Sequence, residues 1–240
     1  MAKVKGNHML FSQAYPLYSM AMAAKKAHSN HIKKEGDPNQ EDDYTRILRD
    51  AYWNSLEAYV KLDDLKFQKD PKALITVLEL ECGEALEART LCAYLKRGKH
   101  RFEEAKDFFY YGIENDLEMI KIAKESYKKN NPVLIPLIFT KKYNFLEQIP
   151  DYLPEIAVLA FNNLDCKNRP ESEWKQIIGL GMECLRKDGI IISTLNWTGN
   201  APAFRHIIGE KCNLFRDRKN LFAPKEYPET YDHIIVGKKR

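Results

Sequence analysis

A dense cluster of glutamates surrounds Gly83, directly after an apolar run that begins at Leu74. The cluster comprises Glu79, Glu81, Glu84 and Glu87. An apolar strand, a glycine turn and an amphipathic helix together form the first β-loop-α unit of nucleotide- and nucleoside-binding α/β folds. The amides at a helix start attract anions, but several carboxylates repel them, so this loop disfavours a pyrophosphate and is compatible with a cationic ligand.

A second acidic position follows the next apolar segment of the chain. Residues 108–113 have the pattern of a strand, and Glu114 comes directly after them. A carboxylate there can accept hydrogen bonds from both vicinal hydroxyls of a ribose. Nicotinamide or flavin dinucleotides and S-adenosylmethionine are both held in this way. The acidic loop favours S-adenosylmethionine, which carries an ammonium and a sulfonium and has no pyrophosphate.

Alternating strand and helix patterns surround these residues from Pro71 onward and predict an α/β fold with a mostly parallel sheet. Strands are predicted at 74–80, 108–113, 133–139, 156–161 and 190–195, and helices at 84–97, 117–128 and 171–186. Asn200, Pro202 and Gly209 bracket a further short helix. Residues 214–222 and 231–236 read as a terminal hairpin, which gives the sheet an antiparallel end.

The first 70 residues have a different pattern, with no strand-like run and two helical segments at 11–28 and 44–62. A polar loop containing Gly36 and Pro38 separates them. We expect two parts: residues 1–70 as a helical extension that acts as a lid, and residues 71–240 as the α/β domain.

The segment from Glu79 to Ala85, ELECGEA, resembles the first motif of the class I S-adenosylmethionine-dependent methyltransferases, E-x-G-x-G-x-G. It keeps the acid and the middle glycine, whereas Glu81 and Ala85 replace the other two glycines. Residues 111–120, YGIENDLEMI, resemble the second motif of that family. The segments 158–164, 185–193 and 231–236 are similar to its later strands, and 11–18, FSQAYPLY, to its aromatic leader.

The resemblance implies a Rossmann-like sheet of seven strands whose last strand is antiparallel. It also implies S-adenosylmethionine as the cofactor and a role for each matching residue. Glu79, Glu81, Cys82 and Gly83 would line the methionine portion, Glu114 would hold the ribose, Asn115 and Met119 would lie near the adenine, Phe161 and Asn162 near the methyl group, and Tyr18 would cover the cofactor. Glu81 either binds the amino group of the cofactor or fills its place.

The family pattern implies methyl transfer to an oxygen or nitrogen atom of a small molecule. Alignment and desolvation can supply much of the rate of such a displacement, so the sequence need not contain a recognisable catalytic base. Asn162-Asn163 lacks the Pro-Pro-aromatic continuation of enzymes that methylate exocyclic base amines. A non-catalytic binding protein of the same fold is the alternative, and a dinucleotide oxidoreductase is a third hypothesis.

Composition and charge limit the other functional classes to which the chain could belong. The net charge of +4 is small, and nucleic-acid binding is not indicated. No apolar run approaches the roughly 20 residues that span a bilayer, and we expect a cytoplasmic protein. Five scattered cysteines without C-x-x-C spacing indicate reduced thiols. His28 and His31 lack a third nearby ligand, so no metal site is predicted; a monomer and a dimer are both open.

Overall fold

The computed structural model describes residues 43–61, 75–99, 108–114, 116–129, 137–140, 156–166, 170–197, 199–227 and 230–240. The predicted helix at 11–28 lies outside these ranges. Residues 47–240 form one compact unit. This unit therefore includes most of the second predicted helix, which sequence analysis assigns to the N-terminal extension.

Five helices and seven strands are described. The helices are α1 (Asp43–Tyr59), α2 (Leu86–Lys99), α3 (Leu117–Lys129), α4 (Glu171–Cys184) and α5 (Ala201–Lys211). The strands are β1 (Ile75–Leu80), β2 (Phe108–Ile113), β3 (Leu137–Thr140), β4 (Ile156–Asp165), β5 (Leu185–Asn196), β6 (Cys212–Lys219) and β7 (His233–Lys239).

The strands form a single sheet in the order β3-β2-β1-β4-β5-β7-β6. The strands from β3 to β5 pair in parallel, whereas β7 lies antiparallel between β5 and β6. The prediction of an α/β fold with a mostly parallel sheet and an antiparallel last strand is confirmed.

One face of the sheet carries the apolar core. Leu78 and Leu80 of β1 belong to a buried cluster that includes Trp174 of α4 and Phe204 of α5. A Cβ atom on Gly181 of α4 would lie 2.9 Å from the Leu80 side chain, so the absence of a side chain lets α4 approach the sheet closely.

The opposite face is covered in part by α1 and α2. The rings of Tyr52 in α1 and Tyr231 before β7 lie with centroids 5.6 Å apart. Asn220 donates a hydrogen bond to the Ser55 hydroxyl at 2.8 Å, and the Tyr94 hydroxyl donates to the Val60 carbonyl at 2.5 Å. Helix α1 therefore contributes directly to the second layer of the α/β unit.

Two predicted boundaries differ from the structure. Helix α4 ends at Cys184 and β5 begins at once with Leu185, because Leu185 has extended backbone angles (φ −72°, ψ 127°). Helix α5 passes through Gly209 and ends at Lys211, so Gly209 does not stop it. A glycine ends a helix when it takes a positive φ, and among the described glycines only Gly83 and Gly199 do so.

Candidate functional site

The centre of the sheet contains the point at which strand order reverses. Strand β1 lies between β2 and β4, so the chain leaves it towards one side of the sheet and later returns to the other. In open α/β sheets, ligands bind outside the carboxyl ends of the strands at such a switch point. Glu79 near the end of β1 and Asn162 of β4 are both positioned there.

Glu79 is fully buried and accepts hydrogen bonds at both carboxylate oxygens. The Tyr110 hydroxyl donates to Oε2 at 2.5 Å, and the Asn162 amide donates to Oε1 at 2.9 Å. The Thr194 hydroxyl in turn donates to Oδ1 of Asn162 at 3.4 Å. Three neighbouring elements, β2, β4 and β5, thus fix the orientation of the Glu79 carboxyl group.

The surroundings of Glu79 favour its neutral form. Burial, followed by the charge of Glu87, raises the pKa of Glu79 to about 8, and the hydrogen bonds from Tyr110 and Asn162 lower it only in part. The carboxyl group therefore retains its proton at neutral pH.

The backbone of the loop after β1 has a positive φ angle at three positions, only one of which is glycine. Glu81 has φ 61°, Gly83 has φ 53° and Ala85 has φ 54°. This left-handed region costs a residue other than glycine about 1–3 kcal/mol, so Glu81 and Ala85 are strained here whereas Gly83 is not. Backbone hydrogen bonds hold it, from Cys82 N to the Ile113 carbonyl at 3.1 Å and from Ala85 N to the Cys82 carbonyl at 2.7 Å.

Glu114, at the end of β2, lies directly beside this loop. Its Oε2 accepts a hydrogen bond from Gly83 N at 2.8 Å, and its Oε1 accepts one from Asp116 N at 2.9 Å. The Asp116 side chain accepts from Glu118 N at 2.9 Å and from Met119 N at 3.4 Å, as a cap does at a helix start. Glu114 itself is buried.

A third buried carboxyl group, that of Glu87, was not assigned to the site by sequence reasoning. Glu87, in the first turn of α2, accepts a hydrogen bond from the Tyr231 hydroxyl at 2.6 Å. The Tyr231 ring contacts Tyr52, whose hydroxyl is completely buried. Burial, then the charges of Glu79 and Glu87, raise the pKa of Tyr52, whereas nearby Asn162 lowers it.

The sequence pattern indicates the burial of Tyr52 but not the contact between Tyr231 and Glu87. Tyr52 lies at helical spacing from the buried Leu48 and Leu56, which places it on the inner stripe of α1. The contact between Tyr231 and Glu87 joins residues 144 positions apart, and no local pattern predicts it.

The other predicted site residues are placed as follows. Cys82 is buried in the loop, where burial and then the charges of Glu79, Glu114 and Glu81 raise its thiol pKa. Met119 is half-buried at the start of α3. Asn115 and Tyr18 lie outside the described residues.

Phe161 does not join the polar cluster. It alternates with Asn162 along β4, so its fully buried side chain points to the opposite face and packs edge-on against Phe204, with ring centroids 5.4 Å apart. The Phe161 ring therefore lies in the apolar core. The structure brings together, at the carboxyl ends of the central strands, Glu79, Glu81, Cys82, Gly83, Glu114 and Asn162.

Neither a metal site nor a membrane-spanning helix is found in the part of the chain that the structure describes. Within the described ranges, no three His, Cys, Asp or Glu side chains are grouped so that they could hold a metal ion. In the same part of the chain, no helix is long and apolar enough to cross a membrane. The five cysteines, all of which are described, carry free thiols.

Comparisons with known proteins give matches at the level of structure. No family model and no curated protein sequence matches the chain. Magnesium protoporphyrin IX methyltransferase from Synechocystis PCC 6803, solved with bound S-adenosylhomocysteine, matches with a TM-score of 0.54 and 12% identity over 90% of this chain and 94% of that chain. The same enzyme with bound S-adenosylmethionine gives a TM-score of 0.53 at 12% identity over 85% and 87% of the two chains. TrmN from Thermus thermophilus gives 0.53 at 13% identity, and the match covers 84% of this chain and 55% of TrmN.

Proposed function

We propose that this chain, which has the Rossmann-like fold of the class I S-adenosylmethionine-dependent methyltransferases, is itself a methyltransferase that uses S-adenosylmethionine to modify an oxygen or nitrogen atom of a small molecule. Likeness at 12% identity concerns the fold alone. The proposal therefore depends on the site.

The observation that carries the proposal is the backbone of the loop between β1 and α2. Residues 81, 83 and 85, which stand at the glycine positions of the cofactor motif, all have positive φ, although only one of them is glycine. Two non-glycine residues in this conformation are strained, and strain of this kind is concentrated at ligand sites. The retained loop shape supports a function that depends on it.

The charge around the loop fits a cationic ligand. Glu79 and Glu114 flank it from β1 and β2, and both act together with Glu81 on the pKa of Cys82, which places the three carboxyl groups close to the loop. A dinucleotide would bring its pyrophosphate to the start of α2, against the Glu81 and Glu114 carboxylates. S-adenosylmethionine carries two positively charged groups and one carboxylate, so it fits these acidic surroundings better than a dinucleotide does.

We assign the binding roles by position. Glu79, Glu81, Cys82 and Gly83 line the methionine portion, and the Glu81 carboxylate favours its ammonium group. The Glu114 carboxylate is proposed to accept hydrogen bonds from the ribose hydroxyls, while its bonds to Gly83 N and Asp116 N keep it in place. Asn115 and Met119 are proposed to border the adenine.

When bound, S-adenosylmethionine supplies an electrophilic methyl group on its sulfonium sulfur. The residues of this chain would contribute alignment: Asn162, held by Glu79 and Thr194, presents a fixed amide at the end of β4. The part of the predicted N-terminal extension that precedes α1 is proposed to serve as a lid that selects the acceptor and includes Tyr18 over the cofactor.

Binding of the proposed ligand is tested on the full chain by isothermal titration calorimetry. S-adenosylmethionine and S-adenosylhomocysteine should bind with dissociation constants well below millimolar, and NAD should not bind. Absence of binding of either adenosyl compound at millimolar concentration would remove the function. Stabilisation by NAD alone in a melting experiment would support the dinucleotide hypothesis instead.

The alternative is a binding protein of the same fold without catalysis, which is favoured by the Glu81 side chain at a position where the family motif has glycine. Glu81→Gly and Glu81→Gln separate the possibilities in the same titration. If the carboxylate binds the ammonium, both variants weaken S-adenosylmethionine binding roughly tenfold, the loss of one charged hydrogen bond. If it fills the pocket, Glu81→Gly binds more tightly than the natural chain.

A further inference from the structure

A histidine–aspartate pair lies at the same end of the sheet as the glycine loop, but outside that loop. Strand β7 runs antiparallel to β5, so its first residue, His233, pairs with Leu195 near the carboxyl end of β5. His233 Nε2 and Oδ1 of Asp217 in β6 are 2.9 Å apart. The His233 side chain is 12% exposed and the Asp217 side chain 14%. The pair is therefore held by the protein and can still be reached from solvent.

Asp217 determines which nitrogen of the imidazole carries the hydrogen. A carboxylate only accepts hydrogen bonds, so Nε2 of His233 is the donor, and in the neutral ring Nδ1 retains its lone pair. The guanidinium of Arg205 in α5 donates to the other oxygen of Asp217 and holds the carboxylate from that side. Within the described ranges, Nε2 makes the only hydrogen bond of the His233 ring. Nδ1 can therefore accept a hydrogen bond from a ligand.

The indole ring of Trp197 lies against this imidazole. Trp197 directly follows β5, and the centroids of the Trp197 and His233 rings are 4.1 Å apart at an interplanar angle of 33°. Trp197 is 37% exposed although the imidazole covers part of it. An apolar ring and an oriented hydrogen-bond acceptor are thus presented side by side. A planar aromatic ligand that carries a hydroxyl group can contact both.

The pair is close to the place proposed for methyl transfer at the end of β4. The Thr194 hydroxyl donates to Asn162, and His233 pairs with Leu195, the residue that follows Thr194 in β5. With about 4.8 Å between strands and 3.3 Å per residue, the Cα atoms of Thr194 and His233 are roughly 6 Å apart. Because successive residues of a strand alternate in direction, Asn162 approaches this end of the sheet from one face and His233 from the other. A ligand across the carboxyl ends of β4 and β5 lies between them.

We propose that the methyl acceptor is a phenol, whose ring stacks on Trp197 and whose hydroxyl proton is transferred to Nδ1 of His233. The proposal rests on the proposed function and specifies the acceptor class and the base of the same site. The phenol oxygen attacks the methyl carbon on the sulfonium sulfur; a C–O bond forms, and the C–S bond breaks with its electron pair left on sulfur. The hydroxyl proton passes to Nδ1 and from there to solvent. Asp217 is a positioning residue, since it bonds to His233 and not to the acceptor.

The acceptor class is tested by binding to the full chain saturated with S-adenosylhomocysteine. Umbelliferone, a flat phenol, is the probe, and its methyl ether herniarin is the matched compound, because it keeps the ring system and lacks the hydroxyl proton. Isothermal titration calorimetry measures both affinities. Umbelliferone should bind up to about tenfold more tightly than herniarin, since only umbelliferone can donate a hydrogen bond to Nδ1.

Substitutions separate the two contacts. His233→Phe keeps a ring beside Trp197 and removes both nitrogens, so the two compounds should bind equally. Trp197→Leu should weaken both compounds about tenfold, and Trp197→Phe should restore most of the affinity, because it retains an aromatic face. His206→Phe is the control, since His206 is exposed on α5 and should affect neither compound.

Proton transfer is tested by following herniarin formation from umbelliferone and S-adenosylmethionine by chromatography. The natural chain should form herniarin, and His233→Phe should form it at least about a hundredfold more slowly, as expected for loss of a general base. His206→Phe should retain the natural rate. Equal rates in the natural chain and His233→Phe, or binding of umbelliferone without herniarin formation, would overturn the role of His233.

The affinity for S-adenosylhomocysteine distinguishes failure of this proposal from failure of the proposed function. Each variant should keep the natural affinity for this compound, which shows that it is folded. If the natural chain binds S-adenosylhomocysteine but does not prefer umbelliferone to herniarin, the phenol proposal is overturned and the proposed function stands. An unchanged preference in His233→Phe would also overturn the phenol proposal. If the natural chain does not bind S-adenosylhomocysteine, the proposed function itself is removed.

Discussion

The Glu114 carboxylate accepts a hydrogen bond from the Gly83 amide at 2.8 Å and so connects the end of β2 to the loop that follows β1. Its other oxygen accepts from Asp116 N just before α3. One side chain thus holds the glycine loop and is also the acid that we propose binds the ribose. Loop position and ligand binding should therefore depend on the same carboxylate.

Replacement of Glu114 by alanine should weaken S-adenosylmethionine binding ten- to a hundredfold, because charged hydrogen bonds worth about 1.5–3 kcal/mol are lost. Calorimetry measures the affinity. Glu118→Ala is the matched control, since Glu118 lies exposed in the first turn of α3 and its loss removes the same charge nearby. Unchanged affinity in the Glu114 variant would place Glu114 outside the site.

Ala85→Gly tests the strain in the loop. Ala85 has φ 54°, an angle that glycine adopts without strain. The unfolding free energy of the Ala85→Gly variant should therefore equal that of the natural chain or exceed it by up to about 1 kcal/mol. Ala88→Gly is the control, because Ala88 is equally buried but lies inside α2. That variant should lose about 1 kcal/mol. Denaturant unfolding measures both, and an equal loss in the two variants would contradict strain at Ala85.

The local patterns of the sequence predicted the elements more completely than the site. The apolar run at 74–80 predicted a strand, and all six residues of Ile75–Leu80 are buried. The position of Glu114 after β2 was predicted from order along the chain alone. The contacts of Tyr231 with Glu87 and of Tyr52 with Tyr231 depend on which strands and helices become neighbours, and that is determined by long-range packing. The side of β4 to which Phe161 points follows from alternation once Asn162 is known to face Glu79.

Stability should depend on pH through Glu79. The pKa of Glu79 is about 8 in the folded protein, against 4.5 for an ordinary glutamate. The contribution of this proton to the unfolding free energy is therefore fully present below about pH 4.5 and is lost as pH rises towards 8. The unfolding free energy should fall in this window by up to about 1.4 kcal/mol per pH unit. Glu79→Gln should show a flatter profile in denaturant titrations at pH 5, 6, 7 and 8. Parallel profiles for the two proteins would show that Glu79 titrates normally.

Lys239 of β7 should stabilise the junction between α4 and β5. Its ammonium group donates to the Met182 carbonyl at 2.6 Å and to the Leu185 carbonyl at 2.5 Å, at the helix end where a cation is favoured. Lys239→Met should lower the unfolding free energy by about 1–3 kcal/mol, since two carbonyl groups lose a charged donor. The adjacent Lys238→Met is the control, because Lys238 pairs at 2.6 Å with the exposed Asp188 and such surface pairs contribute about 0–1 kcal/mol. Guanidinium unfolding at constant pH compares the two, and a larger loss in Lys238→Met than in Lys239→Met would refute the capping role.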